Sequence, residues 1–272
     1  MGDLPTSTEH IALTREGAVL HVLLNRPEAR NALSATMSAE LLATFEALRN
    51  DREIRVVILR GAGGNFCAGG DIKSFNASSR PLEPGEADEI AEANRRGGRL
   101  FQLIDETPQA LIVVVEGYAM GGGFGMACLG DITIAKGDAT FAMSEVMLGI
   151  VPAQISPFVV RRIGFTAARR FGVSGARLDG HGAKRVGIAH EVADDEAELA
   201  VALAGTVKQI LRCAPGAVAT TKALMHRAAR GGVSMDDLLD EAARDFSAAL
   251  RGAEGREGTQ AFVEKRKPGW AS

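Results

Sequence analysis

The sequence is poor in aromatic residues and has no strong excess of either charge. Only 5% of its 272 residues are Phe, Trp or Tyr, and the net charge at neutral pH is -3. Proteins that bind nucleic acid usually combine a basic surface with aromatic side chains on which bases stack. The composition therefore gives no sign of that class of protein, and an anionic ligand would need a local basic patch.

Cysteine is also scarce. The three cysteines, Cys67, Cys128 and Cys213, are an odd number and show no C-x-x-C spacing. The five histidines show no metal-ligand spacing either. This pattern predicts neither a disulfide framework nor a metal site, and we expect reduced thiols in a cytoplasmic protein.

Long apolar runs are missing. No run approaches the roughly 20 residues of a membrane span, and residues 1–10 lack the apolar segment of a secretory signal. We therefore expect neither a membrane partner nor export.

Several motifs of well-known chemistry are absent as well. G-x-G-x-x-G fails because position 126 is Met, and G-x-x-x-x-G-K-[ST], G-x-S-x-G and H-E-x-x-H do not occur. The sequence thus offers no standard phosphate loop, nucleophile elbow or zinc-protease motif.

Strand-like and helix-like segments alternate up to about residue 195, which favours an α/β fold with parallel pairing. Ser34 is a candidate N-cap for a helix over 35–50, and a glycine pair is expected to interrupt a helix over 86–107. Residues 76–86 are expected to form a mobile loop. The predicted strands are 17–25, 54–61, 110–117 and 131–135.

The last part of the chain has a different pattern, with helices but no convincing strand. We predict helices over 196–213, 215–230 and 234–250, with Pro215 in the first turn and Ser234 as an N-cap. The chain therefore divides into an α/β core, 1–195, and a helical region, 196–272.

Two glycine-rich turns each follow a predicted strand. They are 61-GAGGNFCAGGDIKSF-75 and 117-GYAMGGGFGMACLGDITIA-135. The glycines could serve close packing alone. However, neighbouring parallel strands would bring both turns to the same edge of the sheet. Backbone N–H groups from the two turns could then converge on one oxygen that carries negative charge, forming an oxyanion hole without side chains.

At this point a family resemblance is clear. The chain resembles the enoyl-CoA hydratase/isomerase (crotonase) superfamily in segments that follow the family's order and span almost the whole chain. These segments are 24-LNRPEARNALS-34, 65-NFCAGGDIKSF-75, 117-GYAMGGGFGMACLGDITIA-135, 140-TFAMSEVMLGIVPAQISPF-158, 176-ARLDGHGAKRVGIAHEV-192 and 261-AFVEKRK-267.

The resemblance implies a crotonase-like ββα spiral core over 1–195, with a helical trimerisation region over 196–272. It implies a homo-oligomer, either a trimer or a dimer of trimers, that acts on an acyl-CoA thioester. No separate cofactor is implied, because coenzyme A is part of the substrate. By match to the motifs, the backbone amides of Gly70 and Gly122 would be the oxyanion donors and Glu145 the catalytic carboxylate.

The resemblance also assigns residues to substrate and CoA binding. Some contact CoA through the main chain, Asp71 lies near the adenine, and the C-terminal pair reaches the CoA of a neighbouring subunit. Gln154 and Ser156 follow Glu145 closely enough to line the acyl pocket, whereas Asp131 is expected to be structural. The assigned residues are Ala29, Ala68, Asp71, Ile72, Gly121, Gly125, Phe262 and Lys265.

One departure leaves the reaction open. Family hydratases typically carry two glutamates, and the position of the first is Gly125 here. A one-glutamate hydratase could use the room that a glycine leaves for a branched or carboxylated acyl group. An isomerase that moves a proton with one base, another acyl-CoA reaction, and a non-catalytic CoA-binding or RNA-binding relative are the alternatives.

A finer resemblance favours the hydratase. The run 144-SEVMLGIVPAQISPFVVRRIG-164 is similar to the methylglutaconyl-CoA and isohexenylglutaconyl-CoA hydratase branch. The resemblance thus implies a branched or glutaconyl-like substrate.

Overall fold

The structure, a computed structural model, describes residues 4–71, 80–83 and 85–271. Ile72, and residues 76–79 and 84 of the predicted loop 76–86, lie outside the described residues. Among the described residues, no helix is long and apolar enough to span a bilayer.

The larger sheet has six strands in the order β1-β2-β3-β4-β6-β9, and every neighbouring pair is parallel except the β1–β2 hairpin. All six residues of β4 are buried, as expected for a parallel strand covered on both faces. The four predicted strands are present, three with shorter bounds and the fourth shifted by one residue, whereas β1 and β9 were missed. The strands are β1 Ile11–Glu16, β2 Val19–Leu24, β3 Val56–Gly61, β4 Ala110–Val115, β6 Ile132–Lys136 and β9 Glu191–Ala193.

A second, smaller sheet consists of three short strands in the order β5-β7-β8. Strand β5 (Tyr118–Met120) pairs in parallel with β7 (Thr140–Ala142), and β7 pairs antiparallel with β8 (Arg177–Leu178). The turn 61–71 joins this sheet through one parallel bridge between Cys67 and Ala119. The small sheet thus connects the two glycine turns with the segment that leads to Glu145.

Among the described residues of the core, five α-helices accompany the strands. Ser34 caps the first as predicted, because its Oγ accepts the Met37 N–H at 3.0 Å. The expected interruption at Gly97 and Gly98 was wrong, since α2 continues through both residues. A Cβ on Gly97 would meet open space, whereas one on Gly98 would collide with the Gln154 carboxamide. The helices are α1 Ala35–Leu48, α2 Glu89–Asp105, α3 Gly122–Ala127, α4 Ser156–Ser174 and α5 Gly180–Arg185.

After β9, the described residues form helices and one short 3-10 turn. Pro215 opens the second of these helices, and the Ser234 hydroxyl caps the third by accepting the Asp237 N–H at 3.1 Å. Both features confirm the predictions made for Pro215 and Ser234, but the last helix of the chain was not predicted. The helices are α6 Glu196–Ile210, α7 Pro215–Arg230, α8 Met235–Arg251 and α9 Ala253–Val263.

A partly buried ion pair joins α7 to the core. The Lys222 ammonium lies 2.7 Å from Asp131 Oδ2, and the same carboxylate oxygen accepts the Leu111 N–H at the start of β4. Lys222 is buried, so its charge depends on this partner. Asp131 therefore has the structural role that the sequence suggested.

Candidate active site

The two glycine turns are joined by main-chain hydrogen bonds. Cys67 N–H donates to Tyr118 O at 2.8 Å, and Met120 N–H donates to Cys67 O at 2.9 Å. Phe66 N–H extends this ladder to Glu116 O at 2.8 Å. The first turn thus runs alongside β5 and holds residues 67–70 against residues 118–123.

Glycine is required where the two turns touch. A Cβ on Gly123 would stand 2.3 Å from Cys67 O, and a Cβ on Gly69 would stand 3.0 Å from Met120 O. Both obstacles are backbone oxygens, which cannot move aside as a side chain can. Gly69 also has φ +102°, a region that residues with a side chain rarely adopt. The glycines therefore allow two backbones to approach closely, which is the packing explanation.

The same approach brings the amides of Gly70 and Gly122 together. Gly70 N lies 4.0 Å from the position that a Cβ on Gly122 would take. Since N and Cβ of one residue are about 2.5 Å apart, the two nitrogens lie within about 6.5 Å of each other. Neither N–H donates a hydrogen bond to any described residue. Two nearby N–H donors without acceptors among the described residues meet one requirement of an oxyanion hole.

Glu145 lies beside this pair of turns. Strand β7 ends at Ala142, whose carbonyl accepts the Gly121 N–H at 2.9 Å, and Glu145 begins a 3-10 turn three residues later. Its Oε1 is 3.1 Å from the position of a Cβ on Gly121. Its Oε2 is buried and has no hydrogen-bond partner among the described residues. A buried carboxylate oxygen without a partner is rare in structural roles and common at functional sites.

The surroundings of Glu145 favour its protonated form. Burial raises the pKa of this carboxyl above its ordinary value, and a hydrogen bond from its own backbone amide opposes the change only in part. A carboxyl whose pKa is raised toward neutrality is well suited to accept and return a proton.

Gly125, where the family's other glutamate would lie, faces an apolar wall. A Cβ on Gly125 would stand 2.4 Å from Ile155 Cγ2 and 2.9 Å from Phe101 Cε1. The same Phe101 ring reaches within 3.9 Å of the position that a Cβ on Gly122 would take, and Leu33 Cδ1 lies 3.0 Å from that position. The expectation that this glycine leaves room for substrate was wrong, because Ile155 and Phe101 fill the space.

Of the two other candidates for the acyl pocket, Gln154 is held against α2. Its Nε2 donates to Asn94 Oδ1 at 2.9 Å, and its side chain covers the Cα of Gly98. The Ser156 hydroxyl donates to Pro152 O at 2.6 Å. Both side chains thus have partners within the protein that define their positions.

The residues assigned to CoA are distributed around the first turn. Ala68 N–H donates to Arg30 O at 3.0 Å, and Ala29 N–H donates to Arg26 O, also at 3.0 Å. The Asp71 carboxylate lies 3.2 Å from the guanidinium of Arg26, which also donates to Ala32 O. Arg26 is therefore engaged within the protein.

The two assigned residues at the C-terminus lie on the surface. Phe262 near the end of α9 is 85% exposed, and Lys265 is exposed two residues beyond that helix. Lys265 has φ +56°, in the left-handed region. No described contact ties either side chain to the site of its own chain.

Cysteine chemistry finds no support at this site. Cys67 lies at the junction of the turns, but burial raises the pKa of its thiol to about 12. A thiol that stays protonated is a poor nucleophile. Among the described residues, no group of three or more His, Cys, Asp or Glu side chains is placed to hold a metal ion.

Sequence reasoning missed Leu33, Phe101 and Ile155. Leu33 lies in the matched segment 24–34, and Ile155 lies in the run that carries the finer resemblance. The only signal in the sequence that could have linked Leu33 and Ile155 to the site was their position within these matched segments. Phe101 lies on α2, outside all of the matched segments, so nothing in the sequence linked it to the glycine turn.

Comparison with known proteins identifies the family. The family model for enoyl-CoA hydratase/isomerase matches residues 14–272. The chain belongs to this family. The expectations of a crotonase-like α/β fold and of an enzyme of the enoyl-CoA hydratase type are thereby confirmed at the level of the family.

Similar solved structures agree with this fold. The Pseudomonas aeruginosa protein AtuE is 48% identical with a TM-score of 0.92, covering 97% of this chain and 100% of that chain. An enoyl-CoA hydratase/isomerase from Marinobacter aquaeolei is 46% identical with a TM-score of 0.92, covering 97% and 99%. A carnitinyl-CoA dehydratase from Proteus mirabilis is 32% identical in sequence, covering 97% of this chain and 98% of its own.

The raised pKa of Glu145 predicts a stability gain when its charge is removed. The pKa of Glu145 is higher in the folded protein than in the unfolded chain. Ionisation of this carboxyl therefore lowers the free energy of unfolding as the pH rises from the unfolded-state pKa to the folded-state pKa. At a pH below both pKa values, the carboxyl is protonated in both states and this loss of stability is absent. We expect Glu145→Gln to increase the free energy of unfolding at pH 7.5 and to lose this gain near pH 4. Urea unfolding of the wild type and the variant at both pH values measures the difference in the free energy of unfolding.

The control is Glu92→Gln, which changes an exposed carboxylate on α2. Its effect on stability should depend less on pH. If Glu145→Gln destabilises the protein at pH 7.5, the carboxylate has a structural partner and the account of its burial is wrong.

Proposed function

We propose that this protein is an enoyl-CoA hydratase that adds water across the double bond of a 2-enoyl-CoA with one carboxylate. The observation that supports the proposal most is the position of Glu145. Its buried Oε2 has no partner among the described residues, and its Oε1 approaches the turn that presents the Gly122 amide.

The amides of Gly70 and Gly122 would bind the thioester carbonyl oxygen. As water adds to C3, electrons move through C2 toward this oxygen, which becomes negatively charged. Fixed N–H donors stabilise that charge more than they stabilise the neutral carbonyl, and removing one such donor costs about 3–4 kcal/mol in other enzymes. The glycine turns would thus supply the electrostatic part of catalysis.

Glu145 would supply the proton transfers. Its carboxylate accepts a proton from water while the water oxygen bonds to C3. The protonated carboxyl then donates that proton to C2 as the enolate collapses to the thioester, and the carboxylate is restored. One group performs both transfers, so the two atoms of the double bond receive H and OH from the same face.

The proposed substrate is branched or glutaconyl-like, following the similarity of residues 144–164 to that hydratase branch. CoA would bind along Ala29, Ala68, Asp71 and Ile72, with Gly121 beneath the acyl group.

Isomerisation of a 3-enoyl-CoA is the second candidate, and the apolar wall at Gly125 is the observation that favours it. An isomerase removes a proton from one carbon and returns it to another, so one base is sufficient and no water is needed. The products separate the reactions, because hydration gives a 3-hydroxyacyl-CoA.

We also propose that the helical region, 196–272, mediates assembly into a trimer or a dimer of trimers. Four large apolar side chains of α8 are exposed, Phe246 by 69%, and their spacing places them on one helical face. Phe262 and Lys265 would then reach the CoA of a neighbouring subunit. The apolar residues of this face are Met235, Leu239, Phe246 and Leu250.

Substitution of the carboxylate tests the proposed reaction. Glu145→Gln should lower kcat for hydration of 2-enoyl-CoAs by about 10²–10⁴-fold, because the amide cannot accept a proton. Affinity for CoA should change little. In the wild type, activity should fall on the acid side at a higher pH than for an ordinary glutamate, since protonation removes the base.

The control is again Glu92→Gln, which should keep wild-type turnover. Initial rates from the loss of the ultraviolet absorbance of the conjugated enoyl thioester, with mass analysis of the product, measure the reaction. Undiminished hydration by Glu145→Gln would end the proposal, and a shifted double bond without a 3-hydroxyacyl product would favour the isomerase.

Sedimentation equilibrium tests the assembly. The wild type should have three or six times the mass of one chain, and Phe246→Glu should dissociate because it places a charge on the apolar face. A wild-type monomer would contradict the proposed role of the helical region.

A further inference from the structure

One buried side chain in the segment 26–33 holds the start of the first glycine turn. Asn31 is fully buried, and its carboxamide makes three hydrogen bonds to main-chain groups. Its Nδ2 donates to Ala62 O at 2.9 Å and to Asn65 O at 2.6 Å, and its Oδ1 accepts the Arg26 N–H at 2.8 Å. Both amide hydrogens and the amide oxygen of Asn31 therefore have partners in the backbone.

The backbone conformation at position 31 also suits asparagine. Asn31 has φ +56°, in the left-handed region that asparagine and aspartate enter more readily than other residues with a side chain. Its own N–H donates to Arg26 O at 2.8 Å. Asparagine therefore fits both this turn and the two carbonyl groups, whereas aspartate would fit the turn alone.

The same segment pairs with the end of the first glycine turn. Leu33 N–H donates to Gly69 O at 2.8 Å, and Leu33 O accepts the Asp71 N–H at 3.1 Å. Gly69 O and Gly70 N–H belong to one trans peptide unit, so they point in opposite directions. Because Gly69 O points to the main chain of Leu33, the Gly70 N–H points away from it. This pairing thus determines the direction of one proposed oxyanion donor.

Asn31 and Leu33 connect both ends of the first turn to one segment. Asn31 holds residues 62–65, and Leu33, two positions later, holds residues 69–71. A shift of Asn31 away from its two carbonyl partners would move Leu33 as well, because only one residue lies between them. The Gly70 N–H would then change its direction relative to the second donor, and the two amides would no longer meet at one oxygen.

We propose that Asn31 is a positioning residue of the oxyanion hole, which fixes the direction of the Gly70 N–H through the main chain of Leu33. The inference rests on the proposed hydratase function, because it assumes that Gly70 and Gly122 bind the thioester carbonyl. Asn31 is fully buried and its partners are backbone groups, so it acts through the turn. Loss of its hydrogen bonds should therefore impair stabilisation of the enolate oxygen more than binding of CoA.

Asn31→Asp tests this role with the smallest change of shape. The variant keeps an oxygen that can accept the Arg26 N–H. A carboxylate donates neither of the bonds to Ala62 O and Asn65 O, and a protonated carboxyl donates only one of them. Since a misplacement of about 1 Å at a site can cost roughly 10²-fold in rate, we expect kcat for hydration of 3-methylglutaconyl-CoA to fall by roughly 10²-fold, with a much smaller change in KM.

The infrared band of the bound thioester carbonyl measures the donors and needs no turnover. Glu145→Gln and the double variant Glu145→Gln/Asn31→Asp are each saturated with 3-methylglutaconyl-CoA that carries ¹³C at C1. The band of the double variant should lie nearer to its frequency in free solution, because one donor no longer points at the oxygen.

The matched control is Gln109→Glu, a change of the same kind at the opposite edge of the sheet. Gln109 is buried directly before β4, and its Nε2 donates to Leu48 O and to Asp51 O, each at 2.8 Å. Its Oε1 accepts the Thr107 hydroxyl at 2.7 Å. Gln109→Glu should lower the free energy of unfolding, while kcat and the infrared band stay as in the parent protein. The comparison separates a positioning role from a general loss of stability.

Asn31→Gly keeps the test decisive if Asn31→Asp does not fold. Glycine adopts a positive φ without strain, and this substitution removes all three side-chain hydrogen bonds. It should change kcat and the infrared band in the same direction as Asn31→Asp.

Two results would overturn the inference. One is a folded Asn31→Asp or Asn31→Gly with the kcat and the band of its parent, which would leave the hydratase proposal intact if the wild type hydrates the thioester. The other is a band at the solution frequency in Glu145→Gln itself. If no hydration product forms but the double variant still loses the shift of the band, the hydratase proposal fails and the role of Asn31 stands.

Discussion

The site depends on the main-chain hydrogen bonds that join Phe66 and Cys67 to residues 116–120. Hydrogen bonds between Cys67 and both Tyr118 and Met120 fix the distance between two turns that are 50 residues apart in the chain. This pairing leaves the amides of Gly70 and Gly122 close together and without acceptors among the described residues. Because backbone groups form the arrangement, no side chain has to be oriented to maintain it, and only glycine permits the approach at Gly123.

The glycine turn that carries the Gly122 amide is approached by a carboxylate at Gly121 and by apolar side chains at Gly125. Glu145 is placed by β7, through the hydrogen bond between Gly121 and Ala142, in a position where burial opposes its ionisation. Phe101 and Ile155 close the side on which the family's other carboxylate would lie. A carboxylate with a raised pKa and a rigid apolar wall together favour chemistry in which one acid does all the proton transfer.

Sequence patterns predicted the parts of this architecture that repeat over several residues. The central strands β2, β3, β4 and β6 were found because each is a run of branched apolar residues, and Ser34 and Ser234 marked helix starts by their capping chemistry. Strands β5, β7 and β8 were not predicted, since two or three residues carry no periodicity. Yet those short strands place the glycine turn and Glu145.

The sequence motifs named Glu145 and the glycine turns as candidates for the site, and these assignments stay predictions. The contacts around these residues that depend on tertiary packing could not be predicted from the sequence. The sequence showed that Gly125 lacks a carboxylate, but Ile155 lies 30 positions away and Phe101 belongs to a separate helix. The ion pair between Arg26 and Asp71 likewise joins residues 45 positions apart, so the engagement of Arg26 within the protein became visible only in the fold.

The central claim is that the amides of Gly70 and Gly122 bind one thioester carbonyl oxygen. Isotope-edited infrared spectroscopy of a 2-enoyl-CoA labelled with ¹³C at C1, bound to the Glu145→Gln protein, measures this contact before any chemistry occurs. Two N–H donors should polarise the carbonyl and move its stretching band to a lower frequency than in free solution. A saturated complex whose band stays at the solution frequency would contradict the account.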